Sequence, residues 1–281
     1  MKYDFKKREL DKNKYKENKE IKDNKNFLKF TIINYLLKRT KTFLYPFFSK
    51  DIKNIERKEY KINSEKDVSL KILFLSDLHL EIVDNTDSIK KALENDDYFD
   101  YIVFGGDYYD SDKDVLLNEY KWNNLIKFLK TKSNNIIGVL GNHDGINCCN
   151  LISGDLTLLI DKEKSYNNIS FFGVEDFVTF SNLTDDFELD ENKFNIIISH
   201  TPDFIRETKN NYDLMLSGHT HGGQIRIFGY SPIKNCKDKK TFCGFWKYNN
   251  INGITTSGVG CSGFPLRYGV RPEIVCIYVN K

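Results

Sequence analysis

The stretch Lys71-Ile72-Leu73-Phe74-Leu75-Ser76-Asp77-Leu78-His79 holds the pattern on which the rest of the chain is built. A short apolar run reads as a buried strand, and it stops at a carboxylate and an imidazole two residues apart. The same change recurs along the chain. Tyr101-Ile102-Val103-Phe104 runs into Gly105-Gly106-Asp107, and residues 135–140 run into Gly141-Asn142-His143-Asp144. Asn195-Ile196-Ile197-Ile198 runs into Ser199-His200, and residues 213–216 run into Ser217-Gly218-His219-Thr220-His221-Gly222-Gly223-Gln224. Helical patterns fall between the first strands, at 88–95 and 114–130. The longer one puts Leu117, Trp122, Leu125, Ile126 and Leu129 on one side. Strands that alternate with helices predict an α/β fold. In open α/β sheets ligands bind just beyond the carboxyl ends of the strands, so these five ends can converge on one site.

All five histidines of the chain lie in these clusters. Positions i and i+2 of an extended segment point to the same side. His219 and His221 therefore face one small volume, and the glycines around them let the backbone turn tightly. A lone histidine is more often structural than a ligand. Five of them gathered at strand ends predict a joint metal site, because imidazole with carboxylate suits Mn, Fe or Zn better than Mg or Ca.

The rest of the chain sets bounds on this reading. Its 40% hydrophobic and 29% charged residues are those of a globular protein with a real core. The net charge of +2 is unevenly spread: residues 1–67 carry 20 Lys and Arg against 11 Asp and Glu, and the remainder carries 22 against 29. The basic end suits an anionic membrane surface or nucleic acid, or is simply solvated. Residues 1–26 read as disordered or a frayed helix. Residues 27–50 crowd aromatic and aliphatic side chains among Lys and Arg. Two readings stay open for them: a helix in the membrane interface, or a helix docked on the protein's own core. No stretch reaches the roughly 18–20 apolar residues of a membrane span, and no signal peptide is expected. Cys148, Cys149, Cys236, Cys243, Cys261 and Cys276 show no C-x-x-C spacing. Reduced thiols are expected, and with them a cytoplasmic location, peripheral at the inner face of the membrane if the leader binds there.

Further strands are expected at 156–160, 169–174, 225–228, 241–247, 253–257 and 274–279, with a short one at 60–62 in a polar connector. A helix is expected at 202–209, with Pro202 in its first turn. The domain boundaries follow as 1–69 for leader and connector and 70–281 for the folded body.

The ordered clusters resemble the signature of the calcineurin-like metallophosphoesterase superfamily: D-x-H, G-D-x-x-D, G-N-H-D/E, a lone H and G-H-x-H. Here they are Asp77 and His79, Gly106-Asp107-Tyr108-Tyr109-Asp110, Gly141-Asn142-His143-Asp144, His200, and Gly218-His219-Thr220-His221. The segments Ser199-His200-Thr201-Pro202-Asp203, Ser257-Gly258-Val259-Gly260 and Gly263-Phe264-Pro265-Leu266-Arg267 resemble the bacterial YkuE/YaeI-like branch, related to UDP-2,3-diacylglucosamine pyrophosphohydrolases. The resemblance covers roughly 70–281. It implies a four-layer α/β/β/α sandwich of two mixed sheets, behind an N-terminal helical leader. It also implies hydrolysis of a phosphodiester or pyrophosphate by a hydroxide that bridges two divalent ions (Mn, Fe or Zn).

In that scheme Asp107 bridges the ions, Asp77, His79 and His221 complete the first, and Asn142, His200 and His219 complete the second. His143 is implied to be catalytic, acting on the leaving group. Asp144 either orients His143 or caps a helix. Arg267 either approaches the substrate phosphate or makes a structural ion pair. Asp110 supports the site through hydrogen bonds, Tyr108 and Tyr109 are core, and Glu175-Asp176 has no catalytic role. The partner is a small-molecule or lipid phosphoester, the lipid being suggested by the leader. Alternatives are a nuclease or nucleotide phosphodiesterase, and a non-catalytic scaffold. The acidic body argues against nucleic acid, and the complete ligand set argues against a scaffold.

Overall fold

A computed structural model describes residues 52–96, 98–176, 185–231 and 235–281. The leader and its segment 27–50 lie outside the described residues. The described chain forms two six-stranded sheets. The first runs in the order β1 (Glu56–Asn63), β12 (Glu273–Asn280), β2 (Leu70–Leu75), β3 (Tyr101–Phe104), β4 (Ile136–Gly138), β5 (Thr157–Leu158). The second runs β10 (Gly244–Tyr248), β11 (Ile251–Thr255), β9 (Leu214–Ser217), β8 (Phe194–Ile198), β7 (Ile169–Gly173), β6 (Lys162–Ser165). Both are mixed. In the first, β2 to β5 are parallel and β12 lies antiparallel to β2; in the second, β7, β8, β9 and β11 are parallel, with antiparallel β10 and β6 at the edges.

The strict period of two in the strands divides the core. Ile72 and Phe74 of β2, Val103 of β3, Ile196 and Ile198 of β8, and Leu214 and Leu216 of β9 meet between the sheets. Their alternates Leu73, Leu75, Ile102 and Phe104 point the other way. They pack under the helices α1 (Thr86–Ala92), α2 (Val115–Leu129) and α3 (Ile146–Ile152), where Trp122, Leu125 and Leu129 are fully buried. On the far face of the second sheet, Ile197 and Met215 are covered by Phe204, Ile205, Tyr212 and Trp246. Among the described residues that cover is built on a 3₁₀ turn, Pro202–Arg206, where a helix over 202–209 was expected.

Other elements depart from the sequence reading for local reasons. The strand at 60–62 extends over the whole of β1, in parallel register with β12, and the sheet edge is tied down by Arg57 and Lys71, which both pair with Asp96. Burial would raise the Asp96 carboxyl, but those two cations override it and hold it below its usual range. The expected strand at 225–228 is not formed. Ile225 and Ile227 make only isolated bridges, to Tyr268 and Tyr230 respectively, because Gln224 (φ 53°) and Phe228 (φ 50°) turn the chain. Two elements were not anticipated. Strand β6 is exposed along its whole length and so carries no alternation to read. Helix α3 is short, and its first N–H groups are met by Asp112, whose carboxylate accepts from Asn147 N at 3.2 Å and Cys148 N at 2.9 Å.

Strand β7 ends in buried Val174, Glu175 and Asp176. Burial pushes the Glu175 carboxyl up to about 8, and the adjacent Asp176 charge adds to this against one backbone hydrogen bond. The folded chain therefore holds a proton that the unfolded chain releases near the ordinary value of 4.5. Where the unfolded state binds fewer protons, stability falls as pH rises, here across the window between those two values. Glu175→Gln should flatten this decline, with a denaturation midpoint less dependent on pH and higher than wild type at the alkaline end. Parallel midpoint curves for the two proteins would contradict the assignment.

Candidate metal centre

The five polar clusters sit at the carboxyl ends of β2, β3 and β4 in one sheet and of β8 and β9 in the other. The loops that carry them are bound to one another through the main chain. Asp77 N donates to Gly106 O at 2.9 Å, His79 N to Asp107 O at 3.2 Å, and Gly218 N to His200 O at 2.9 Å. The approach is tight enough to require glycine at two points. A Cβ on Gly141 would run into the Asp107 carboxylate, and one on Gly218 would run into Ser76 and Asp77. Asp77, His79, Asp107, His219 and His221 all take positive φ, between 40° and 68°. For non-glycine residues each such conformation costs of order 1–3 kcal/mol and persists only when its surroundings over-determine it.

Besides a cluster of His79, Asp110 and His143, two groups of side chains result. Asp77, His79 and His221 present ligand-type atoms within 4.8 Å of one another, and so do Asp107, His200 and His219. In the first group the Nε2 atoms of His79 and His221 are 3.1 Å apart, and Asp77 Oδ1 is 3.3 Å from His221 Nε2. In the second, Asn142 Oδ1 lies 2.8 Å from His219 Nδ1 and 3.1 Å from His200 Nε2. One oxygen faces both groups: Asp107 Oδ2 is 3.1 Å from His200 Nε2 and 3.7 Å from His79 Nε2. His219 and His221, two residues apart, thus belong to different groups.

The electrostatics follow from burial and crowding. Burial, with His200 beside it, brings His219 down to about 4, and burial, with His79 and Arg267, holds His221 well below its usual value. Both are kept neutral, the form a metal requires. Burial would lower His200, but Asp107 overrides it and pushes it up to about 10. Burial would raise Asp107, but His200, His143 and His79 hold it well below the carboxylate range. Positive charge is therefore favoured beside Asp107 and disfavoured at His219 and His221. Lone-pair donors aimed at one another, with a carboxylate oxygen between them, fit divalent cations, and this mixed N/O set suits transition metals.

The outer ring atoms are held as metal ligands usually are. His200 Nδ1 donates to Gly105 O at 2.7 Å, leaving Nε2 to the centre. His79 Nδ1 is 3.2 Å from Asp110 Oδ1, off the line of an ideal hydrogen bond. Asp110 is held in turn by Ser262 Oγ at 3.0 Å and Gly263 N at 3.1 Å. Burial would raise its carboxyl, yet His79, with His143, holds it at about 2. The support role expected of Asp110 has this form. Gly263 opens a segment that resembles the YkuE/YaeI-like branch, but nothing in the sequence linked it or Ser262 to Asp110, which they reach only through the fold.

His143 stands beside the first group, its ring centroid 5.2 Å from that of His79. Its Nδ1 is held at 2.7 Å by the main-chain oxygen of Asp110. Neither expectation for Asp144 describes its place. Its carboxylate accepts from Asp107 N at 2.8 Å, Gly141 N at 2.7 Å and Tyr108 N at 2.9 Å, and Gly145 stands at the N-cap of α3. Arg267 also differs from both of its readings. It is 1% exposed, and it donates to Gly260 O at 2.9 Å and Ser257 O at 2.7 Å; among the described residues its partners are carbonyls rather than a carboxylate. It backs His221, with Nη2 at 3.3 Å from Nδ1, and is too enclosed to meet a substrate phosphate. Tyr108 and Tyr109 are core residues, as expected.

A family model described as calcineurin-like phosphoesterase matches residues 70–223. The chain is 29% identical to the metallophosphoesterase YkoQ of Bacillus subtilis, over 82% of this chain and 93% of YkoQ. It is 28% identical to the metallophosphoesterase YkuE of the same organism, over 73% of this chain and 77% of YkuE. A shorter stretch, 29% of this chain and 31% of the relative, is 36% identical to the phosphodiesterase YaeI of Escherichia coli. The match spans the strands that carry all five clusters, so the chain belongs to the calcineurin-like phosphoesterase family, in the branch of YkuE and YaeI, and is a metal-dependent phosphoesterase.

Proposed function

We propose that the chain hydrolyses a phosphodiester or pyrophosphate bond at a dinuclear centre. Asp77, His79 and His221 would hold one ion, Asn142, His200 and His219 the other, and Asp107 would bridge them. The observation that carries this reading is the position of Asp107 Oδ2, which faces His200 Nε2 at 3.1 Å and His79 Nε2 at 3.7 Å. When bound, a pair of divalent cations neutralises phosphoryl oxygens and acidifies water at neutral pH.

The chain's own residues supply the rest. His143, in its doubly protonated form, would give the leaving oxygen a proton from Nε2, because its Nδ1–H is donated to Asp110 O. The Asp110 carboxylate, 3.7 Å from the same Nδ1, helps to fix the orientation of the ring. Main-chain bonds to Asp107 from His143 N (2.9 Å) and to Asp77 from His219 N (3.0 Å) keep the two carboxylates aimed inward. The ester is proposed to be lipid-linked, on the strength of the basic, aromatic composition of residues 27–50. The broader screen that tests this sets phosphodiesters, phosphomonoesters, nucleoside-diphosphate lipids and phospholipids side by side with enzyme reconstituted with Mn, Fe or Zn.

His143→Ala should keep two equivalents of metal while losing about 10²–10⁴-fold in kcat on bis-p-nitrophenyl phosphate, the usual size of a general-acid effect. A wild-type rate would remove His143 from the reaction. Asp107→Asn should lose bound metal, read by elemental analysis, together with activity; full metal occupancy would show that Asp107 is no bridge. Deleting residues 1–50 should lower the fraction that sediments with anionic vesicles, and unchanged sedimentation would sink the leader's role at the membrane.

A further inference from the structure

Just beyond His221 the chain makes a small hairpin whose apolar tip points away from the core. Ile227 N donates to Tyr230 O at 2.8 Å, and Tyr230 N to Ile227 O at 3.0 Å, closing a two-residue turn. The central residues, Phe228 (φ 50°) and Gly229 (φ 79°), are both left-handed, as in a type I′ turn. Asn or Gly suits the first of these positions, and a bulky residue there is an outlier. The chain nevertheless places a phenylalanine there, and that ring is fully exposed (105%). Ile227 and Tyr230 beside it are 51% and 62% exposed. An aromatic side chain that burdens its own turn and adds nothing to the core leaves its apolar area for something outside the molecule.

The surroundings indicate what that is. Between Gln224 and Lys240 the sequence has Arg226, Lys234, Lys237, Lys239 and Lys240 against one acidic residue, Asp238, whose carboxylate accepts from Lys240 N at 2.8 Å. The turn that carries Lys239 and Lys240, both exposed, packs on the same segment as the base of the hairpin. Thr220 Oγ1 donates to Phe242 O at 2.8 Å, Ser231 Oγ donates to Gly223 O at 3.1 Å, and the Arg226 guanidinium lies 5.4 Å over the Phe242 ring. The tip is a projection, since a Cβ on Gly229 would meet nothing within 4 Å. A projecting aromatic tip, on a segment packed against the turn that carries two exposed lysines, suits the interface of an anionic bilayer.

We propose that Ile227, Phe228 and Tyr230 enter the headgroup region of an anionic lipid surface, with Lys239 and Lys240 on its charged plane. The base of the hairpin is Gly222 and Gly223, and Arg226 Nε donates to Gly222 O at 2.7 Å. The contact therefore holds the strand-end cluster that follows β9 close to the lipid surface. It goes beyond the phosphoesterase reading, and it stands whichever ester is cut.

The test uses the full chain carrying Phe228→Trp, with vesicles of phosphatidylcholine alone or with phosphatidylglycerol. Trp122 and Trp246 are buried, so a change in emission on adding lipid reports position 228. Anionic vesicles should shift the emission to shorter wavelength, and lipids brominated near the headgroup should quench it. Lys239→Gln and Lys240→Gln should each weaken vesicle binding about fivefold. Sedimentation with vesicles but unchanged emission would overturn the proposal, because the leader alone would then be bound. An equal shift on neutral vesicles, or a shift without lipid that grows with protein concentration, would overturn it as well, the latter in favour of self-association. Phe228→Ser should hydrolyse soluble bis-p-nitrophenyl phosphate as wild type does, so loss of the lipid contact and loss of phosphoesterase activity are read separately.

Discussion

A buried carboxylate that stands outside both groups of ligands holds the centre together. Asp144 takes hydrogen bonds from the main-chain N–H groups of Asp107, Tyr108 and Gly141, and so clasps the loop after β3 to the loop after β4. Hydrogen bonds to a charged acceptor contribute about 1.5–3 kcal/mol each. That is the size needed to hold one or two residues at positive φ, at about 1–3 kcal/mol apiece, and Asp107 is one of them. The clasp fixes the backbone that carries the oxygen facing both groups of ligands, and His143 N holds the other oxygen of the same carboxylate at 2.9 Å. Cys148 Sγ, donating to the same carboxylate at 3.3 Å, ties α3 into the arrangement.

The rest of the centre is a problem of crowding. Carboxylates and imidazoles are driven into one water-poor volume, where unpaired charge is costly. Asp107 and His200 relieve each other, which pulls one down and the other up, while His219 and His221 stay neutral. Asp110 serves two histidines at once: its side chain faces His79, and its main-chain oxygen fixes His143. The rings of His79 and His143 are thereby both set by one residue, which is itself held by the tail through Ser262 and Gly263. The tail strand β12 lies between β1 and β2, so the support of the site is tied into the first sheet.

Asymmetry at the outer surface sets the site in a larger context. Helix α2 (Leu116, Leu117 and Tyr120) and strand β10 (Phe245) also expose large side chains, but the hairpin that follows His221 presents a phenylalanine that is fully exposed. Among the described residues no helix is long and apolar enough to cross a membrane. Attachment of the hairpin to a lipid surface would engage a few aromatic and basic side chains.

The sequence by itself determined that ligand-type residues gather at five strand ends. Each apolar run alternates between two cores because side chains of a strand alternate, and each run stops at a ligand-type residue, so the five clusters and the α/β class were legible. Elements without periodicity were not. Strand β6 is exposed throughout, α3 is only two turns long, and 225–228 looks like a strand until positive φ at Gln224 and Phe228 bends it. The tertiary structure alone decided the partners across loops. It made Asp144 a clasp rather than an orienting base or a cap, enclosed Arg267 among carbonyls behind His221, and drew Ser262 and Gly263 to Asp110. The physical reason is that local pattern reports burial and period, whereas a hydrogen bond between loops 36 or 152 residues apart depends on how the sheets bring them together.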